Sequence, residues 1–281
     1  MIPLKDNIPT LNFPLVTVAL IVINAVVYFG FQHGGINLPN DNSKTVKYSA
    51  IPYEITHPGK KCGEITSQSP ESVPESVARQ IKVNQQDHLV CTGKAGLLDE
   101  LRTSPGESQP PWYLTILFAM FMHGSLLHIA GNMLFLWIFG NNIEDSMGRV
   151  RFTIFYLLGG IAATYAQSWV HPNDIVPTLG ASGAIAAVLG AYAVLYPRAR
   201  VLTLLFIIIF FTVVELPALF VLGAWFLLQL LDGATLSAAN GGGGGVAYFA
   251  HIGGFLFGVA TIKLFATRVR QDYQQPRLPV Y

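Results

Sequence analysis

An all-α integral membrane protein, a bundle of six transmembrane helices with a long first extracytoplasmic loop, is the fold class this sequence predicts. Three observations predict it. Of 281 residues, 52% are hydrophobic and only 12% charged, about half the charged share of a soluble domain. The charges are unevenly spread and leave apolar stretches near the roughly 20 residues that cross a bilayer. Lys and Arg recur in every second short loop between those stretches, as in a chain that passes back and forth.

Residues 1–13 form a head carrying Lys5, and 14–31 the first span. A signal-peptide core runs about 7–15 residues and ends in small residues. This stretch is longer, and Asn24, Tyr28 and Phe29 stand where cleavage would fall, so it is read as a retained span. Residues 32–111 are rich in Pro, Ser, Lys and Glu without a sustained apolar period. They read as a long extracytoplasmic loop or a small appended domain. The core of helices 2–6 covers 112–265. It opens with a short apolar lead-in at 112–122, interfacial or partly inserted. The second span is expected at 125–143, the third at 152–169 and the fourth at 182–196. The fifth lies somewhere in 201–231, with Pro217 marking its start or a kink, and the sixth at 246–265. The tail, 266–281, is polar.

Lys5, the Arg149/Arg151 pair, the Arg198/Arg200 pair, and Arg268, Arg270 and Arg277 fall on one side of these spans. Loops 170–180 and 232–245 contain neither Lys nor Arg. The chain is therefore expected in the plasma membrane with both termini cytoplasmic and the 32–111 segment outside. An oxidising exterior favours a Cys62–Cys91 disulfide over two unpaired thiols. The net charge of +1 gives no reason to expect a nucleic-acid partner.

An ionisable group at a span centre costs on the order of 3 kcal/mol to insert. Four polar residues inside the spans therefore ask for a reason: His128, Asn132, Ser182 and His251. Spans two, four and six run in the same direction, and all four residues lie early in them. At about 1.5 Å per residue they reach comparable depth near the outer surface. His128 and Asn132, four apart, share a helix face. Small residues recur every fourth position as Ser182, Ala186 and Gly190, and as Ala250, Gly254 and Gly258. Such stripes let helices approach closely in lipid, which would bring the His251 imidazole to the Ser182 hydroxyl. Ser182 opens a helix, where free N–H groups and the positive dipole end favour an oxyanion. No carboxylate lies near His251 in sequence, so a Ser–His dyad is inferred rather than a triad. Taken singly, a serine at a helix start is ordinarily a cap, and a lone intramembrane His or Asn is ordinarily helix–helix glue. Their convergence carries the reading.

These residues resemble the rhomboid family. The run from His123 through His128 to Asn132, continuing to Trp137, Glu144-Asp145 and Gly148, looks like its second-span signature. Gly180-Ala181-Ser182-Gly183 resembles its nucleophile motif, and Ala250-His251 with Gly254 and Gly258 its sixth-span motif. The resemblance implies an intramembrane serine endopeptidase that cuts single-pass transmembrane proteins near their extracytoplasmic face. It implies Ser182 as nucleophile, His251 as base, Asn132 and His128 with the Ser182 amide as oxyanion stabilisers, and His123 in water access. It implies the lipid bilayer as the medium. Two departures stand out. The first loop lacks the Trp-Arg pair of better-studied members, and Ala186 occupies a position where some members stack an aromatic on the base. Orientation of His251 must then come from elsewhere. The loop 232–245, with its glycine run 241–245, is expected to act as a lid over the site. No cofactor or metal is indicated; the seven histidines include no His-Glu-x-x-His. The alternatives are a catalytically silent rhomboid-like protein that binds membrane clients and, more distantly, a solute transporter, against which no internal repeat is seen.

Overall fold

The computed structural model describes residues 2–35, 44, 47–64, 82–84, 89–92, 110–207, 210–238 and 246–269. Strand β1 (Ile2–Asp6) leads into helix α1 (Leu15–Phe31), whose last turn, Val27–Phe31, is π-helical. No side chain of its own caps α1. Glu144, from far along the chain, does so instead. Its carboxylate accepts from the Val16 N–H at 3.0 Å and from the Thr17 N–H and hydroxyl at 2.8 Å each. The first amides of a helix lack partners within it, and negative charge is favoured at that end.

Next come a short helix α2 (Pro52–Thr56) and strands β2 (Lys61–Glu64), β3 (Lys82–Asn84) and β4 (Leu89–Thr92), paired antiparallel in the order β2-β4-β3. Cys62 sits opposite Cys91 in this register, and the two are joined by a disulfide packed on Ile51. The lead-in is helix α3 (Trp112–Ala119). Helix α4 (Leu126–Met147) is capped by the Ser125 hydroxyl, which accepts from the His128 N–H at 3.1 Å. It stops at Gly148, whose φ of +78° favours glycine. Helices α5 (Arg149–Val170) and α6 (Ser182–Leu195) follow, then strands β5 (Arg200–Ile207) and β6 (Phe210–Pro217), and helices α7 (Ala218–Ala238) and α8 (Tyr248–Phe265).

Helix α6 runs through the middle: every residue from Gly183 to Tyr192 is buried. It is packed against α5 and α8 without room for side chains at the crossings. A Cβ on Gly254 would overlap the Gly183 carbonyl, one on Gly258 the Ala187 carbonyl, and one on Gly190 the Phe255 carbonyl. The close contact thus runs partly one residue along from the expected Ser182–Ala186 stripe, and Ser182 itself is left free to face a cavity.

The outer surface of the helices is apolar. Leu15, Val26, Leu127, Trp169, Leu256 and Leu264 are exposed, while Thr17, Asn24, Asn132, Gln167 and Ser168 are buried. Large exposed apolar patches of this kind belong against lipid or a partner rather than water. By length and composition α4 and α8 can each cross a membrane; α1, α6 and the Ala218–Asp232 part of α7 are apolar but shorter.

The all-α expectation is corrected. Within the 201–231 stretch expected to hold the fifth span, β5 and β6 pair antiparallel instead, and β1 from the head completes a second three-stranded sheet in the order β1-β5-β6. This run is dense in β-branched and aromatic residues, which suit a pleated surface. An apolar run alone does not separate strand from helix. Burial alternates along β5, with Val201 and Thr203 buried and Leu202 and Leu204 less so. Pro217 ends β6 and immediately precedes α7, so it marks a start and not a kink. The start of the expected 232–245 loop is helical instead, since α7 continues to Ala238; residues 239–245, the tail beyond 269 and most of the first loop lie outside the described residues.

Candidate active site

Helices α4, α6 and α8 all begin around one cavity of about 480 Å³. Its lining includes Ser125 and His128 from the start of α4, Thr178 and Gly180 before α6, Ser182, and His251. Ser182 is the first residue of α6 and His251 the fourth of α8. The tight α6–α8 crossing one turn further on brings the Ser182 Oγ to 2.7 Å from His251 Nε2.

Gly180 shapes the entrance to α6. Its φ is +126°, and a Cβ there would stand 2.9 Å from His128 Nε2 and 3.6 Å from Ser182 Oγ. Only glycine lets the chain pass between those groups in that conformation. Its N–H donates to the Ala119 carbonyl at 2.8 Å, which ties the chain entering α6 to the end of α3. Upstream, Thr178 exchanges two backbone hydrogen bonds with Ala50, at 2.8 and 2.9 Å. Ala50 adjoins Ile51, which packs on the disulfide. The first loop therefore braces the segment that leads into Ser182.

Asn132 lies one turn after His128, is buried, and its Nδ2 has no hydrogen-bond partner among the described residues. His123 is fully buried and packs edge to face on His128, with ring centroids 5.1 Å apart. The Gln32 side chain clamps its backbone: Oε1 accepts from the His123 N–H at 2.9 Å, and Nε2 donates to its carbonyl at 3.1 Å. The structure thus gathers Ser182, His251 and His128 at the cavity, with His123 and Asn132 beside His128. Cys62 and Cys91 lie apart from it, on the bracing loop.

Two residues of α7 escaped the sequence reading. Gln229 Oε1 lies 2.6 Å from His251 Nδ1, and the Trp225 ring lies 5.8 Å from the imidazole at 38°. Gln229 is the one amide or charged side chain between Pro217 and Asp232. The rule that singled out His128 and Asn132 applies equally to it. Among the described residues no group of three or more His, Cys, Asp or Glu side chains is placed to hold a metal.

A Rhomboid domain family model matches residues 111–268, more than half of the chain. The chain belongs to the rhomboid family. It is similar to the mitochondrial Rhomboid protein 1 of Saccharomyces cerevisiae, 32% identical over 153 residues. That match covers 52% of this chain and 40% of the relative. It is similar to the mitochondrial presenilin-associated rhomboid-like protein A of Danio rerio, 33% identical over 149 residues, 52% of this chain and 36% of the relative. The chloroplastic Rhomboid-like protein 11 of Arabidopsis thaliana is 29% identical over 168 residues, 56% of this chain and 54% of that relative. The chain thus spans about two fifths of the length of the first two relatives. Their names correct the plasma-membrane expectation, with its cytoplasmic termini: the first two relatives are mitochondrial proteins. Lys and Arg placement separates two faces of a membrane but carries no information about which membrane it is.

Proposed function

We propose that this rhomboid is an intramembrane serine endopeptidase that cleaves single-pass transmembrane proteins near the membrane face at which Ser182 lies. The observation that carries the reading is the 2.7 Å contact between Ser182 Oγ and His251 Nε2, within the reach a nucleophile and its base require. Six crossings, by α1, α4, α5, α6, α7 and α8, enclose the site. The relatives' names point to a mitochondrial membrane as its setting.

In the first step Ser182 Oγ attacks the scissile carbonyl carbon and passes its proton to His251 Nε2. The carbonyl oxygen becomes an oxyanion, held by the Ser182 amide with donors from Asn132 and His128. Collapse breaks the C–N bond, and the leaving amine takes the proton from Nε2, leaving an acyl ester on Ser182. A water then gives its proton to Nε2 and attacks the ester, and the proton returns to Ser182 as the acid departs. A helical substrate must unwind first, since its carbonyls are engaged within the helix. The cavity's polar groups admit the water, with His123 behind His128 assigned to that path.

A fluorophosphonate probe applied to detergent-solubilised protein tests this. Wild type should be labelled at Ser182, and labelling should vanish in Ser182→Ala and fall at least 1,000-fold in His251→Ala. A wild type that takes no label would favour the silent, client-binding alternative.

A further inference from the structure

We propose that Gln229 is a positioning residue for His251: a neutral third partner that holds the imidazole in the tautomer and orientation a base needs. The inference rests on the protease reading above and adds α7 to the machinery. An amide oxygen accepts but does not donate. An acceptor oxygen 2.6 Å from Nδ1 favours the ring proton on Nδ1, which leaves the Nε2 lone pair to face the Ser182 hydroxyl. Were the amide turned so that its NH2 met Nδ1, the ring proton would move to Nε2 and His251 could no longer take the serine proton. One side chain therefore decides between a competent and an incompetent base.

The surroundings leave this task to Gln229. Among the described residues that line the cavity the only titratable side chains are His128 and His251, so no carboxylate from α4, α5 or α6 lines it to orient the ring. Ala186 offers no aromatic face to His251, but Trp225, one turn before Gln229 on the same helix, lies against the imidazole and also against Phe255. Helix α7 thus supplies both the wall and the acceptor. A lone glutamine in an otherwise apolar stretch is costly to insert, and its partner here is the catalytic imidazole. The competing explanation is a plain interhelical hydrogen bond that holds α7 to α8.

The two differ in what a substitution changes. Measured as kinact and KI for the fluorophosphonate across pH, Gln229→Leu should lower kinact about 10- to 100-fold with KI within twofold. Gln229→Glu restores an acceptor that cannot turn around. It should recover most of kinact and move the acid limb of the profile to higher pH, since a carboxylate beside Nδ1 favours the imidazolium. Thermal midpoints in detergent, read in parallel, report folding. Gln229→Leu with wild-type kinact and pH profile would overturn the proposal. So would an equal loss of kinact in both variants, tracking a lowered midpoint. An unlabelled wild type, by contrast, would sink the protease reading itself.

Discussion

Catalysis at the scale of single residues asks a serine hydroxyl to meet three requirements: a base, donors for an oxyanion, and a dry enough setting for both to act. On the reading proposed above, Ser182 and His251, 2.7 Å apart, supply the first. Asn132 bears on the second. Its Nδ2 is buried without a hydrogen-bond partner among the described residues, a condition that costs about 1–3 kcal/mol. A donor kept at that cost fits a group whose partner exists only during reaction. Asn132→Ala should lower turnover of a fluorogenic transmembrane peptide about 100-fold, with KM changed less than twofold and the thermal midpoint no lower. An unaltered kcat would remove Asn132 from the oxyanion site. At this scale the clustering of Ser182, His251 and His128 around one cavity, with Asn132 one turn along α4, was legible in the sequence, because polar groups in apolar spans are conspicuous. Gln229 carried the same signal, yet only its proximity to Nδ1 gave that signal a meaning.

At the scale of elements, the site depends on how closely α6 and α8 approach. Gly254 lies one turn after His251, and its Cα faces the carbonyl of Gly183, the residue after Ser182. Gly254→Val would wedge the helices apart at that crossing and lengthen the Ser182–His251 contact. Probe labelling should fall at least 100-fold and the thermal midpoint should drop by several degrees. Gly223→Ala on α7, where an added Cβ meets nothing within 4 Å, serves as the control and should match wild type. Equal behaviour of the two variants would show that the crossing does not set the dyad. The small-residue stripes were readable in sequence, but their register was not. Whether Ser182 or Gly183 faces α8 depends on the rotation of α6, which its packing against α5 as well as α8 decides.

At the scale of the whole molecule, the two ends of the bundle do different work. One end holds the cavity, braced by the disulfide-linked loop. At the other, β1-β5-β6 is tied to the helices through Asp6, whose Oδ2 accepts from the Tyr192 hydroxyl at 2.7 Å and from Asn142 Nδ2 at 2.6 Å. Burial lifts the Asp6 carboxyl from 3.8 to about 6, against the lowering effect of the Tyr192 hydrogen bond. The folded state therefore retains a proton that the unfolded chain releases between those values. This contribution to stability is full below about pH 4, declines as pH rises to 6, and is flat above. It amounts to at most about 3 kcal/mol. Asp6→Asn cannot titrate, so its thermal midpoint should fall less than that of wild type between pH 4 and 6. Parallel slopes for the two proteins would show that Asp6 does not titrate in this window.

Composition, the spacing of apolar runs and a few misplaced polar residues were enough to determine a helical membrane protein with a serine and a histidine at one end. Those properties follow from solvation, which acts on each segment separately. The β1-β5-β6 sheet, the capping of α1 by Glu144, the rotation of α6 and the Gln229–His251 contact were decided only in three dimensions. Each joins segments far apart in the chain, and the free energy that selects it comes from packing and hydrogen bonding between partners that no local pattern pairs.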